Sequence, residues 1–168
     1  VDQLAFRKHG EPDAAARRRV LGRVVEDVGN HLDQARAVSA ALLEGGLPAI
    51  ELTLRTPVAM EALAMLKREL NVPIQIGENF SLVAGMQAAL DADCCDLVMP
   101  DLERIGGVTG WLAAAKLAAT RGLKMSSHLY PEASAHLLAV TPTAHCLEYV
   151  DRADKIVQEP LKIVDGHA

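Results

Sequence analysis

Short apolar runs that each close near an ionisable residue recur along this chain at almost constant spacing, and nothing else in the sequence limits its fold so strongly. The runs cover residues 4–8, 21–27, 48–53, 73–78, 96–101, 123–128 and, more weakly, 145–149. Their polar ends are Lys8, Asp27, Glu51, Glu78, Asp101, His128 and Glu148, separated by 19, 24, 27, 23, 27 and 20 residues. Each gap is the length of one strand, one returning helix and two loops. Between the runs, residues 34–43, 57–70, 81–90, 109–120 and 134–139 carry apolar side chains at helical period. Asp33 and Ser81 are placed to cap the first and third of these helices, and Gly45-Gly46, Gly77 and Gly122 mark the joins.

Strands alternating with helices predict parallel βαβ crossovers, and runs such as Leu97-Val98-Met99 suit a sheet covered on both faces. An open doubly wound sheet gathers ligand groups at one switch point, whereas a (β/α)8 barrel turns every strand's C-terminal end toward one mouth. A ring of ionisable strand ends favours the barrel. Seven strands is one short of eight, and the chain opens on Val1. The expectation is therefore a truncated TIM-type barrel of about seven βα units, a single domain over residues 1–168. The first unit is the weak place, because only residues 11–19 are available for its crossover helix.

Composition narrows the function. A formal charge of −5 with one short basic cluster, Arg17-Arg18-Arg19, argues against a nucleic-acid partner, and 3% aromatic residues leave little for base stacking. No apolar run is long enough to cross a membrane, and no secretory leader pattern opens the chain. A soluble, cytoplasmic protein is expected. Cys94, Cys95 and Cys146 form no C-x-x-C pair and read as reduced core thiols. No H-E-x-x-H, G-x-S-x-G or phosphate-loop motif occurs.

The strand ends themselves suggest chemistry. Glu78 follows Gly77, and Asp27 and Glu51 end the two preceding strands; with neighbouring strands about 4.8 Å apart, three carboxylates are placed to converge on a hard cation such as Mg²⁺. Asp101 and His128 end adjacent strands, and a carboxylate beside an imidazole fixes its tautomer and supports its cationic form, as a general base needs. Glu148 closes the ring as a possible hydrogen-bond donor to an anionic oxygen. Alternatively each acid is a solvated strand end or a cap, with Asp101 capping the turn that follows it. His136 and His145 read as packing or capping residues.

Residues 71–79 (Asn71-Val72-Pro73-Ile74-Gln75-Ile76-Gly77-Glu78-Asn79), Met99-Pro100-Asp101, Arg104 through Trp111, Ser126-Ser127-His128-Leu129, and the stretch from Ser134 to Leu147-Glu148 together resemble the mandelate racemase branch of the enolase superfamily. The resemblance runs nearly without gaps over about 66–166 and fades across 1–65. It implies that Glu78 is a Mg²⁺ ligand, that Asp101 and His128 form a base dyad, and that Glu148 meets the carboxylate of the substrate, with Asn79 beside it as a binding residue. Residues 23–30 resemble the ligand segment that contributes Asp27, and Ile50-Glu51 resembles the next, without its usual second acid and proline. Phe6 to Gly10 faintly resembles a lysine pair, which makes Lys8 the base of the opposite face. The family's capping domain is absent from the sequence. Residues 45–57 also resemble a segment of the 2-keto-3-deoxy-6-phosphogluconate aldolases, where Glu51 is the acid/base, Arg55 an anion contact, and Lys124 the nearest lysine for a Schiff base.

The implied activity is Mg²⁺-dependent abstraction of the α-proton of a small 2-hydroxy carboxylate, by a racemase (an isomerase) or an acid-sugar dehydratase (a lyase). The contrasting expectation is an inactive barrel fragment or chimera. Uncovered apolar helix faces and unpaired strand edges predict a homo-oligomer in either case.

Overall fold

The computed structural model describes residues 22–23, 32–46, 49–153 and 155–168. The run at 4–8, the helix expected at 11–19, most of the run at 21–27, Arg17 to Arg19, and the candidates Lys8 and Asp27 lie outside the described residues. What is described is a succession of βα units: β1 (Gly22–Arg23), α1 (Leu32–Glu44), β2 (Ile50–Glu51), α2 (Ala59–Glu69), β3 (Ile74–Ile76), α3 (Leu82–Asp91), β4 (Leu97–Val98), α4 (Gly107–Thr120), β5 (Lys124–Met125) and α5 (Pro131–Ala139). All four neighbouring pairs are parallel and the spatial order equals the chain order, β1-β2-β3-β4-β5. This unbroken order is that of one arc of a βα barrel; a doubly wound sheet would reverse it.

Beyond β5 the arc gains another rung. Met125 bridges Ala144 in parallel, and the Ser127 amide donates to the Cys146 carbonyl at 2.9 Å. The weak seventh run is therefore strand-like at its start and then turns into loop.

The register separates the two faces. Ile50 pairs with Ile74, and Ile76 with Val98, which pairs with Met125; all five are buried against the helices. Glu51, Gln75, Leu97 and Lys124 form the opposite row and run from partly to fully exposed. The expectation of a sheet covered on both faces thus holds only on the helix side, because the inner row of the arc is largely polar.

Helix α2 shows why these segments are helical. Ala59, Ala62, Leu63 and Leu66 repeat at the spacing of one helix face and are all buried, while Glu61 near the start and Lys67 and Arg68 near the end complement the helix dipole. The core is aliphatic, as 3% aromatic content requires, with Trp111 its largest member. The Trp111 indole N–H, fully buried, donates to Thr141 Oγ1 at 3.0 Å. Cys94 and Cys95 are buried free thiols, as expected, whereas Cys146 is only half-buried; hydrogen bonding with Cys94, and then burial, pushes the Cys95 thiol up. Leu82, Val108 and Leu112 stay exposed on α3 and α4. No described helix is long and apolar enough to cross a membrane.

Candidate active site at the strand ends

The loops that follow β3, β4 and β5 bring Glu78, Asp101 and His128 together. Asp101 and His128 continue the β4–β5 pairing past the strands themselves, bridging in parallel. The Asp101 carboxylate is divided between two tasks. Its Oδ1 accepts the backbone N–H groups of Glu103 and Arg104 at 2.9 and 3.0 Å, and its Oδ2 lies 3.0 Å from His128 Nδ1. One carboxylate thus caps the turn that follows it and contacts the imidazole of the neighbouring strand. Tied by the turn, the buried acid holds the ring: a carboxylate oxygen accepts, so a proton on Nδ1 points to it, and Nε2 lies on the side of Glu78.

Glu78 reaches the same place from β3. Gly77 precedes it with φ +149°, a conformation that L side chains rarely adopt, and packs so closely on β4 that an added Cβ would sit 2.6 Å from the Met99 carbonyl carbon. The buried Glu78 carboxylate then meets two groups: Oε1 accepts from Arg55 Nη2 at 2.7 Å, and Oε2 lies 3.5 Å from His128 Nε2. Arg55, the expected anion contact, has for its anion a carboxylate of its own chain. Only the 23-residue separation across a βα unit hid that pair.

Glu148 sits beside this group. Its Oε2 accepts the Leu129 N–H at 2.7 Å, and its own N–H donates to Ser127 Oγ at 2.9 Å. Leu129 and Tyr130 both have positive φ (54° and 48°), so the Glu148 carboxylate props a strained loop directly after His128. The Tyr130 hydroxyl in turn donates to Glu103, which pushes the phenol up. Neither Tyr130, Ser127 nor this propping contact was legible beforehand. Asn79 Oδ1 is buried with no hydrogen-bond partner among the described residues.

Glu51 is placed differently. It registers with Gln75, three residues short of Glu78, so the two carboxylates leave the sheet at different depths. Among the described residues no three His, Cys, Asp or Glu side chains form a group able to hold a metal ion, and Asp27 lies outside them. The donors that are placed, a buried carboxylate and an orphaned carboxamide oxygen on consecutive residues, are nevertheless of the hard oxygen type that suits Mg²⁺. Lys124 is exposed and in register with Leu97 on the inner row, four residues before His128, so it does not stand where an aldolase lysine is needed. His145 Nδ1 lies 3.3 Å from Ser126 Oγ, and His136 occupies the last turn of α5, in keeping with structural roles.

Comparison with known proteins decides the family. Residues 11–168 match the family described as Enolase C-terminal domain-like. This chain is a member of that family. Among related proteins, the L-talarate/galactarate dehydratase of Salmonella typhimurium is 31% identical over 107 residues, 64% of this chain. A solved enolase from Bradyrhizobium, complexed with magnesium and mandelic acid, is 38% identical over 86% of this chain with a TM-score of 0.76. A mandelate racemase/muconate lactonizing enzyme from Polaromonas sp. JS666 is 26% identical over 98% of it, with a TM-score of 0.75. The resemblance to the mandelate racemase branch is thereby borne out. The enolase-family chain spans 27% of the length of the Salmonella relative, and 39% and 49% of the two solved chains.

Proposed function

We propose that this site belongs to a Mg²⁺-dependent enzyme that removes the α-proton of a small 2-hydroxy carboxylate, as a racemase or an acid-sugar dehydratase. The observation that carries the reading is the contact of His128 Nδ1 with Asp101 Oδ2 at 3.0 Å, at the C-terminal ends of adjacent parallel strands. Known relatives support it, since they include a dehydratase of aldarates and an enolase holding magnesium with mandelic acid.

In this reading His128 takes the proton through Nε2, and Asp101 keeps the ring oriented and stabilises the imidazolium that results. Asn79, whose buried oxygen has no hydrogen-bond partner among the described residues, accepts from a hydroxyl of the substrate. Glu148 steadies the His128 loop and donates a hydrogen bond from its other carboxyl oxygen to the substrate carboxylate. Glu78, with Glu51 and Asp27, would hold Mg²⁺, which when bound would supply positive charge beside the substrate carboxylate. Lys8 is the base for the opposite face in a racemase. The exposed Leu82, Val108 and Leu112 support association of several copies.

Exchange of the substrate α-proton in D₂O, followed by proton NMR with mandelate and galactarate in the presence of Mg²⁺, tests the assignment. Exchange that falls about 10² to 10⁴-fold in His128→Asn is expected. Absence of exchange with every 2-hydroxy acid tried, or full exchange in the variant, would count against it.

A further inference from the structure

We infer that Arg55 is a resident counter-cation of the site and competes with a divalent ion for the Glu78 carboxylate, so that Arg55 sets how tightly this chain holds Mg²⁺. The inference rests on the reading of Glu78 as a magnesium ligand. Glu78 is buried, and one of its two oxygens already receives the Arg55 guanidinium at 2.7 Å. The other lies 3.5 Å from His128 Nε2. A carboxylate with little access to water draws most of its charge balance from such neighbours, and a guanidinium and a divalent ion drawn to the same buried carboxylate repel each other. Arg55 also has somewhere to go. Its side chain is 39% exposed against 8% for Glu78, and it stems from the loop between β2 and α2, outside any regular element. A half-exposed guanidinium on a loop is reachable by water, so it can be exchanged for another cation that takes its place beside Glu78.

Calorimetric titration of the chain with Mg²⁺ tests this, using wild type, Arg55→Gln, Arg55→Lys and Glu78→Gln. Arg55→Gln should bind roughly threefold to tenfold more tightly than wild type, Arg55→Lys should fall between them, and Glu78→Gln should lose the site. A readout without any substitution is the Arg55 Nε–H resonance, which should shift as Mg²⁺ is added. If Glu78→Gln abolishes binding while Arg55→Gln binds no better than wild type, and the Arg55 resonance stays still, the competition is refuted and the magnesium reading stands. If Glu78→Gln binds as well as wild type, or no protein binds, the magnesium reading falls and the inference with it.

Discussion

Replacing Gly77 by alanine attacks the one backbone contact that places Glu78. Two costs add. At φ +149° an L residue is strained by about 1 to 3 kcal/mol. The new Cβ would also meet the backbone C, N and O of Met99 at 2.6, 2.7 and 2.7 Å, far inside ordinary contact, and the obstacle is main chain that cannot rotate away. Parting β3 from β4 to admit the methyl group resembles overpacking, at roughly 1 to 3 kcal/mol more. Gly122→Ala is the matched control. Gly122 also has positive φ, +68°, but an added Cβ there meets nothing within 4 Å. Its cost is left-handed strain of about 1 to 2 kcal/mol, partly offset by a stiffer unfolded chain. In urea denaturation followed by circular dichroism, Gly77→Ala should lose about 2 to 3 kcal/mol more than Gly122→Ala, the middle of these ranges and a midpoint difference near 1 M for ordinary urea slopes. Equal losses in the two variants would mean that β3 and β4 do not approach so closely, and the placement of Glu78 would have to be abandoned.

Thr141→Val keeps the shape of the side chain but strands the buried Trp111 N–H, and should destabilise by about 1 to 3 kcal/mol in the same assay, with Thr141→Ser largely restoring stability. Burial first, and then Lys124, hold His145 below its ordinary value of 6.5, so the unfolded chain takes up this proton at a pH where the folded chain does not. Stability should therefore fall as pH drops from about 6.5 toward the folded-state value and level off beneath it, and a pH series of urea midpoints should show that step shrinking in His145→Gln. Asp101→Asn should slow α-proton exchange while its amide nitrogen disturbs the turn at Glu103 and Arg104, giving loss of rate together with a modest loss of stability; unchanged exchange would argue against the dyad.

Much of this was visible in the sequence because barrel geometry is periodic. Strand ends spaced by one βα unit must face one way, so Asp101 and His128 could be paired without knowing any distance. The helix limits were less legible. Helix α5 starts at Pro131, three residues before the expected Ser134, because proline's fixed φ suits the first helical turn after Tyr130 in the left-handed region. Ser81 does precede α3 but makes no side-chain cap; the Leu82 N–H goes instead to the Arg104 carbonyl, a tertiary bond that local pattern cannot foresee. Asp33 lies within the first turn of α1 and does not precede it. The register of Glu51 was also beyond reach, because counting gaps fixes which strands are neighbours but not how far each slides along the next. Loop contacts escaped for a similar reason: Arg55 with Glu78, and Glu148 with the Leu129 N–H, depend on where flexible segments return, and no periodicity records that.

Asp101 fixes the His128 ring through a proton on Nδ1 and leaves Nε2 on the side of Glu78. Long-range proton–nitrogen NMR of the imidazole side chains measures this directly. The account predicts an Nδ1-bound proton on His128, shifted far downfield by the carboxylate and moved upfield in Asp101→Asn. A neutral His128 ring carrying its proton on Nε2, with a spectrum indifferent to the Asp101 substitution, would contradict it.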